Sequence, residues 1–273
     1  MSEDVWEGKR LGVIGAGNMA EAIVRGATAA GVIAPGRIAA FDPLPERREL
    51  FAALGCQAAA TACAAAACEA VLLSVKPQSL RRAAEEIRSG LRPGTLAISI
   101  VAGVPTRILA EILAPGVKII RVMPNTPLLV GQGMSCLSQG PGAGEVEMRL
   151  ALALFAAAGA ALELPEGQLD AVTALSGGGP AYLFRFAEAL MAGGEGIGLS
   201  AETARLLTVN TLRGAAEMLF RGGEAADLRA RVTSKGGTTA EALRVFEAGR
   251  LTVLTAEALK AAKERSAELG REA

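Results

Sequence analysis

LGVIGAGNMAEAIVRG, residues 11–26, begins as an apolar run, passes through a glycine turn and continues with apolar residues at helical spacing. A strand, a tight turn and a helix in that order is the context in which GxGxxA carries meaning. Gly15 permits the turn, Gly17 lets a backbone approach a pyrophosphate, and the small Ala20 lets the helix lie close to its strand. A second apolar run, residues 37–41, ends at Asp42, about where an acid that binds a ribose hydroxyl belongs. The stretch predicts the first βαβ unit of a dinucleotide-binding domain.

Further along, strand-like runs at residues 70–75, 95–101, 117–122 and 133–137 alternate with helical patterns at residues 80–88, 106–113 and 145–158. Near-continuous apolar strands suit a sheet covered on both faces, so the pattern predicts a doubly wound α/β domain. The alanine-rich tract at residues 58–67 reads as a strand end running into a helix. Past about Leu164 the strand-like runs stop, and helical patterns follow at residues 167–173, 180–191, 201–220, 224–232, 240–248 and 251–269. The expected fold is α/β: a Rossmann-like doubly wound sheet over residues 1–163, then an all-helical domain over residues 164–273. Long helices such as 201–220 in so small a domain often bury their apolar faces against another subunit, so a dimer at least is expected, with a compact helical monomer domain as the alternative.

The chain has 273 residues, enough for two domains, and balances 28 Lys and Arg against 28 Asp and Glu. The whole-chain charge gives no reason to expect nucleic acid or an anionic membrane as partner. The first ten residues lack the apolar core of a signal peptide and no apolar run reaches a membrane span, so the cytoplasm is the default expectation. Cys56, Cys63, Cys68 and Cys136 show no CxxC spacing and read as reduced core or helix residues; no metal is expected. Histidine is absent altogether, which removes the commonest general acid-base and every Ser-His-Asp scheme. Chemistry must then need little from a side-chain base. Hydride transfer to a carbon already electrophilic, such as that of a cyclic imine, meets this limit.

VTSKGGTT, residues 232–239, offers several hydroxyls, two glycines and a lysine just before a helical pattern. Thr238 followed by Glu241 reads as a capping box, with the free N–H groups of the first turn facing a small anion. A carboxylate there would accept charge-assisted hydrogen bonds of roughly 1.5–3 kcal/mol each. An ordinary capped helix after a Gly-Gly turn is the plainer alternative. SVKPQ at residues 74–78, Val101 to Gly103, and RVMPNTP at residues 121–127 leave strand ends where ligands collect; the last is either a wall of the site or a fixed turn. ALSGGGPAY, residues 174–182, sets glycines before Pro180 and implies close approach by cofactor, substrate or a second subunit.

GAGNMAEAI, SVKPQ, RVMPNTP, AVTALSGGGPAY and RVTSKGGTT, in this order and at these separations, resemble pyrroline-5-carboxylate reductase over nearly the whole chain. The resemblance implies a Rossmann domain for NADPH or NADH, a helical dimerisation domain that also binds substrate, and commonly a ring of dimers such as a decamer. By the same resemblance Ile14, Gly15, Ala16, Gly17, Asn18 and Met19 hold the pyrophosphate, and Ser74, Val75, Lys76 and Pro77 the nicotinamide-side ribose. Val101, Ala102 and Gly103 lie near the nicotinamide. Ser234, Gly237, Thr238 and Thr239 match positions that bind the ring carboxylate, and Thr239 the hydroxyl that bonds the ring nitrogen. Thr239 is thus the catalytic candidate. Gly178 stands where the family usually has serine and Lys235 where it usually has proline.

Asp42 favours NADH by accepting a 2′-hydroxyl, whereas Arg47 and Arg48 nearby would neutralise a 2′-phosphate; alternatively Asp42 only caps the helix starting near Pro45. A hydroxyacid dehydrogenase of related layout would want a lysine in residues 180–191, which contain Arg185 but no lysine. A noncatalytic nicotinamide-binding regulator would not need Ser234, Thr238 and Thr239 intact.

Overall fold

Leu11, Gly12, Val13 and Ile14 are buried without interruption, so the first strand has protein on both faces. In the computed structural model, which describes residues 5–272, the strands are β1 (Leu11–Ile14), β2 (Ile38–Phe41), β3 (Gln57–Ala58), β4 (Ala70–Leu73), β5 (Leu96–Ser99), β6 (Lys118–Pro124), β7 (Gly133–Gln139) and β8 (Gly159–Glu163). They form an 8-stranded sheet in the order β3-β2-β1-β4-β5-β6-β7-β8. Every pair from β3 to β6 is parallel, β7 runs antiparallel to β6, and β8 is parallel to β7. The strand order reverses between β1 and β4, where a crevice opens at the carboxyl ends of the strands.

The connecting helices are α1 (Asn18–Ala29), α2 (Pro45–Ala53), α3 (Ala62–Ala66), α4 (Leu80–Ile87), α5 (Thr106–Ile112) and α6 (Glu145–Ala156). Alternation along each strand divides the core between the two faces. Leu11, Val13, Leu72, Ile98 and Ile120 meet Ile23, Val24, Leu154 and Phe155 from α1 and α6. Ile14, Val71, Leu73, Ala97 and Ile119 meet Ala65, Leu80, Ile87 and Leu109 from α3, α4 and α5. Each such large side chain contributes roughly 1.5–3 kcal/mol on burial. A Cβ on Gly12 would collide with the Ala65 carbonyl oxygen, so glycine lets α3 lie directly on β1.

The sheet matches the doubly wound expectation, with shorter strands than the apolar runs implied: β4 ends at Leu73 and β5 at Ser99, and the chain then turns into loops. The alanine-rich tract resolves as β3 followed by α3, as read. β8 was not anticipated. It is mostly exposed and lacks the buried apolar run that marks the inner strands. Gly159, with φ 151, is its sequence trace: a Cβ there would strike the backbone of Gly133 in β7.

The later helices are α7 (Leu169–Val172), α8 (Gly179–Gly196), α9 (Ala201–Phe220), α10 (Ala225–Arg231), α11 (Thr238–Ala248) and α12 (Leu251–Glu272). A π-helical turn, Thr173–Gly177, follows α7. The chain divides into two compact units, residues 1–178 with 262–273, and residues 179–261. The change from strands to helices at residue 163 therefore precedes the change of compact unit, because residues 165–178 pack with the sheet; Leu169 is fully buried.

Within residues 179–261, α8 and α9 pack on each other, and a Cβ on Gly194 would lie 3.1 Å from the Ala204 Cβ. This unit buries little else: only Ala204 and Thr208 are inaccessible among its described residues. Phe184, Leu206, Phe220, Val245 and Leu254 are exposed. No helix among the described residues is long and apolar enough to cross a membrane.

Candidate active site

Gly15, next after β1, adopts φ +91, and a Cβ on it would lie 2.7 Å from the Ser74 carbonyl oxygen. Only glycine threads the chain between the ends of β2 and β4 at this point. Its N–H donates to the Phe41 carbonyl at 2.9 Å, and the Ser74 N–H donates to that of Ile14 at 2.9 Å. The Ile14 side chain is in the core, so at the turn it offers backbone alone. Gly17 is the N-cap of α1 and no side chain caps that helix. A Cβ on Gly17 would meet nothing within 4 Å. Nothing in the protein requires glycine there. The open space lies instead at a helix N-terminus whose first-turn N–H groups and dipole suit a pyrophosphate. Ala16, Asn18 and Met19 complete this turn and first turn of helix.

Asp42 leaves β2 and braces the glycine turn. Its Oδ2 accepts the Ala16 N–H at 2.9 Å and its Oδ1 the Leu44 N–H at 3.0 Å. The N-cap of α2 is Leu44, with no side-chain cap, so capping that helix is not the role of Asp42. Arg47 donates from Nε to the Ala16 carbonyl at 2.5 Å and pairs with Glu21 at 3.0 Å. Burial alone would raise the Glu21 carboxyl, but hydrogen bonds from Arg25 and Arg47 hold it below the usual range. Arg48 donates to the Asp42 carbonyl at 2.6 Å, with its guanidinium 5.8 Å from the Phe41 ring centroid.

Across the strand ends lies a cleft of ≈ 340 Å³. Met19, Ser74, Val75, Lys76 and Pro77 line it, as does Ala102. Val101 points into the core instead, and Gly103 packs against Leu269. Residues 123–126 form the opposite wall, so the proline-flanked turn is both wall and fixed turn. Asn125 fixes it: Nδ2 donates to Ser176 Oγ at 3.2 Å and to the Ser176 carbonyl at 3.3 Å, while Oδ1 accepts the Met134 N–H at 2.8 Å. Met123 of the proline-flanked turn and Gly177 of the glycine run also line the cleft, as does Ile100, which was not singled out from the sequence. The glycine run carried part of that signal, since a Cβ on Gly177 would collide with the Met123 methyl.

In the other unit, the turn between α10 and α11 is tied by the Gly237 N–H donating to the Ser234 carbonyl at 3.0 Å. Gly236 has φ +71, and a Cβ on Gly237 would collide with Ser234 Oγ. The N-cap of α11 is Gly237 and not Thr238, and the capping box does not form. Glu241 instead accepts from Arg244 at 3.0 Å. Capping by Thr238 would need it outside the helix, whereas it occupies the first helical position. The first-turn N–H groups have no side-chain cap, and the Thr238 and Thr239 hydroxyls enter no hydrogen bond among the described residues. Such a turn can hold a carboxylate by backbone donors, with hydroxyls left for a neighbouring polar atom. Lys235 is exposed beside it.

Among the described residues no group of His, Cys, Asp and Glu could hold a metal ion. Cys56, Cys68 and Cys136 are buried and pushed upward in pKa by that burial, Cys56 to about 11, so none is a nucleophile at neutral pH.

Residues 166–269 match the sequence family described as pyrroline-5-carboxylate reductase dimerisation, and residues 10–103 that described as NADP oxidoreductase, coenzyme F420-dependent. A pyrroline-5-carboxylate reductase of Pseudomonas aeruginosa is 42% identical over 267 residues, 96% of this chain and 97% of that one. The solved pyrroline-5-carboxylate reductase of Coxiella burnetii superposes with a TM-score of 0.89 at 36% identity, covering 96% of this chain and 98% of that one. A Plasmodium falciparum pyrroline carboxylate reductase solved with NADP bound gives 0.85 at 29% identity, covering 97% and 99%. With identity at this level over almost the full length of both chains, the chain belongs to the pyrroline-5-carboxylate reductase family.

Proposed function

We infer that the protein reduces 1-pyrroline-5-carboxylate to L-proline with NADPH or NADH, the last step of proline biosynthesis. The observation that carries the substrate side is the turn at residues 234–239, with its uncapped helix N-terminus and free Thr238 and Thr239 hydroxyls. The open Gly17 at the start of α1 and the cleft lined by Ser74 to Pro77 fit a nicotinamide dinucleotide. Bound there, the dinucleotide supplies the hydride that reaches the imine carbon. The protein's part is to bind, orient and polarise. Ser234, Gly237, Thr238 and Thr239 hold the ring carboxylate through backbone N–H groups and hydroxyls. The Thr239 hydroxyl hydrogen-bonds the ring nitrogen, donating to it while it is unprotonated and accepting its N–H once it is protonated, so the C=N bond stays aligned in both states. Histidine is not required, because the proton goes to a nitrogen basic enough to take it from solvent.

Ile14 to Met19 hold the pyrophosphate, Ser74 to Pro77 the nicotinamide-side ribose, and Val101 to Gly103 back the nicotinamide, through Ala102 at the cleft surface. Asp42 accepts from the adenine-side ribose and tilts the choice toward NADH without excluding NADPH. Dinucleotide binding is assigned to residues 1–163, dimerisation and substrate binding to residues 164–273. The exposed apolar faces of α8 and α9 support a homodimer, and a ring of dimers such as a decamer in the cytoplasm is the assembly we propose.

Oxidation of NADPH and of NADH by purified protein, followed by absorbance with pyrroline-5-carboxylate, tests the reading. Imine-dependent oxidation yielding proline is the expected result. Turnover of a keto acid in its place, or cofactor binding with no turnover of either, would overturn it.

A further inference from the structure

The loop at residues 100–105 contributes Ile100 and Ala102 to the cleft, yet what holds it in place lies elsewhere. At its start Ser99 Oγ accepts the Val101 N–H at 3.3 Å. At its end Glu166 accepts both the N–H and the hydroxyl of Thr106, each at 2.7 Å. Over its middle sit the last turns of α12. Gly103 has φ +75, and a Cβ there would lie 3.1 Å from the Leu269 Cβ; a Cβ on Gly270 would lie 2.6 Å from the Gly103 carbonyl oxygen. The helix end touches the loop backbone with no room for one methyl group.

The same helix end is seated by a partly buried polar chain. Ser266, 4% exposed, donates from Oγ to Asp170 Oδ1 at 2.8 Å. That oxygen is 3.9 Å from Arg121 Nη2, and Arg121 Nη1 is 3.2 Å from Glu166 Oε1. Glu166, which holds the far end of the loop, thus belongs to the network that seats the helix covering its middle. Arg121 is 5% exposed on β6, so the network is anchored in the sheet. Centred on the buried Arg121, with Glu166 and Asp170 each about a third exposed, the network favours one placement of the helix end.

We propose that the last turns of α12 are a positioning element for the cofactor side of the cleft, with Ser266, Leu269 and Gly270 acting through residues 100–105 and not by contact with a ligand. The inference rests on the reading that this cleft receives the nicotinamide. A loop already ordered before binding spares the cofactor the entropy of ordering it.

The test measures amide hydrogen exchange of residues 100–105 together with the cofactor Kd, the imine KM and Tm. Gly270→Ala should speed exchange in that loop and raise the cofactor Kd on the order of three- to tenfold, as for a lost supporting contact, with the imine KM nearly unchanged. Ser266→Ala should move both readouts the same way by less, and Ser266→Thr should restore them; this pair carries the test if Gly270→Ala does not fold. Unchanged loop exchange in a folded variant overturns the proposal, as does faster exchange with unchanged cofactor Kd. Equal losses in cofactor Kd, imine KM and Tm also overturn it, since they mark general destabilisation. Should the wild-type chain bind neither cofactor, the reading of the cleft falls, while loop exchange still decides whether the helix end holds the loop.

Discussion

Thr239 sits half-buried in the first turn of α11 with a hydroxyl that no described neighbour engages. A polar group so placed has a use for its hydrogen bond only when something arrives. Thr239→Ala should lower kcat/KM for the imine roughly ten- to hundredfold, the worth of one hydrogen bond to a charged group, with cofactor affinity unchanged; steady-state kinetics with a cofactor titration checks this, and an unaltered kcat/KM would remove Thr239 from the mechanism. Asp42 is the second residue whose chemistry can be isolated. Its carboxylate is held at both oxygens by backbone N–H groups, so it cannot swing away from a 2′-phosphate. Asp42→Ser should raise the NADPH/NADH ratio of kcat/KM about tenfold, equivalent to about 1.4 kcal/mol. Arg47 will not compensate while it is tied to Glu21 and the Ala16 carbonyl.

At the scale of elements, Glu166 joins α5, β6 and the segment before α7. Burial would raise its carboxyl, but hydrogen bonds from Thr106 and Arg121 outweigh that and hold it below the ordinary range. A lowered folded-state pKa means that its stabilisation is fully present above the unfolded value of about 4.3 and is lost as pH falls through the folded value. Wild type should therefore melt above Glu166→Gln at neutral pH, with the gap closing below about pH 4; melting curves across that range decide, and a gap that persists in acid would mean the ionised network is not the stabilising form. Elements such as these also show what a sequence can disclose. β1, β4 and the glycine turn were legible because the two strands are buried on both faces and Gly15 must take a positive φ, and β2, buried at alternate residues, because its whole run is apolar. α9 runs Ala201–Phe220, the bounds its helical pattern predicts, and the structure adds a Ser200 cap that accepts the Thr203 N–H. β8 was hidden by its exposure at the sheet edge. Thr238 misled because a threonine followed by glutamate has the same spelling whether it caps the helix or begins it. For the far wall of the cleft the sequence left open a wall or a fixed turn, since the Asn125 bonds to Ser176 that make it both span residues far apart in the chain.

At the scale of the whole molecule, residues 179–261 bury only Ala204 and Thr208 among the described residues while exposing Phe184, Leu206 and Phe220. An apolar surface of that extent, in a region matching a dimerisation family, ties stability to association. Tm should accordingly rise with protein concentration, and the mass in solution, by light scattering, should be an even multiple of the protomer; a monomer with a concentration-independent Tm would contradict it. α12 begins in one compact unit and ends in the other, so the sheet unit is discontinuous in sequence. On the ribosome, the nascent sheet can collapse as soon as residues up to 178 have emerged, but Ser266 and Gly270 are not yet made. The segment at residues 100–105, held at its ends by Ser99 and Glu166, must then wait with its middle uncovered through synthesis of all of residues 179–261. If α12 positions this loop as proposed, a chain ending anywhere in that interval would have the sheet's strands and most of its core but lack the helix end that covers the middle of residues 100–105.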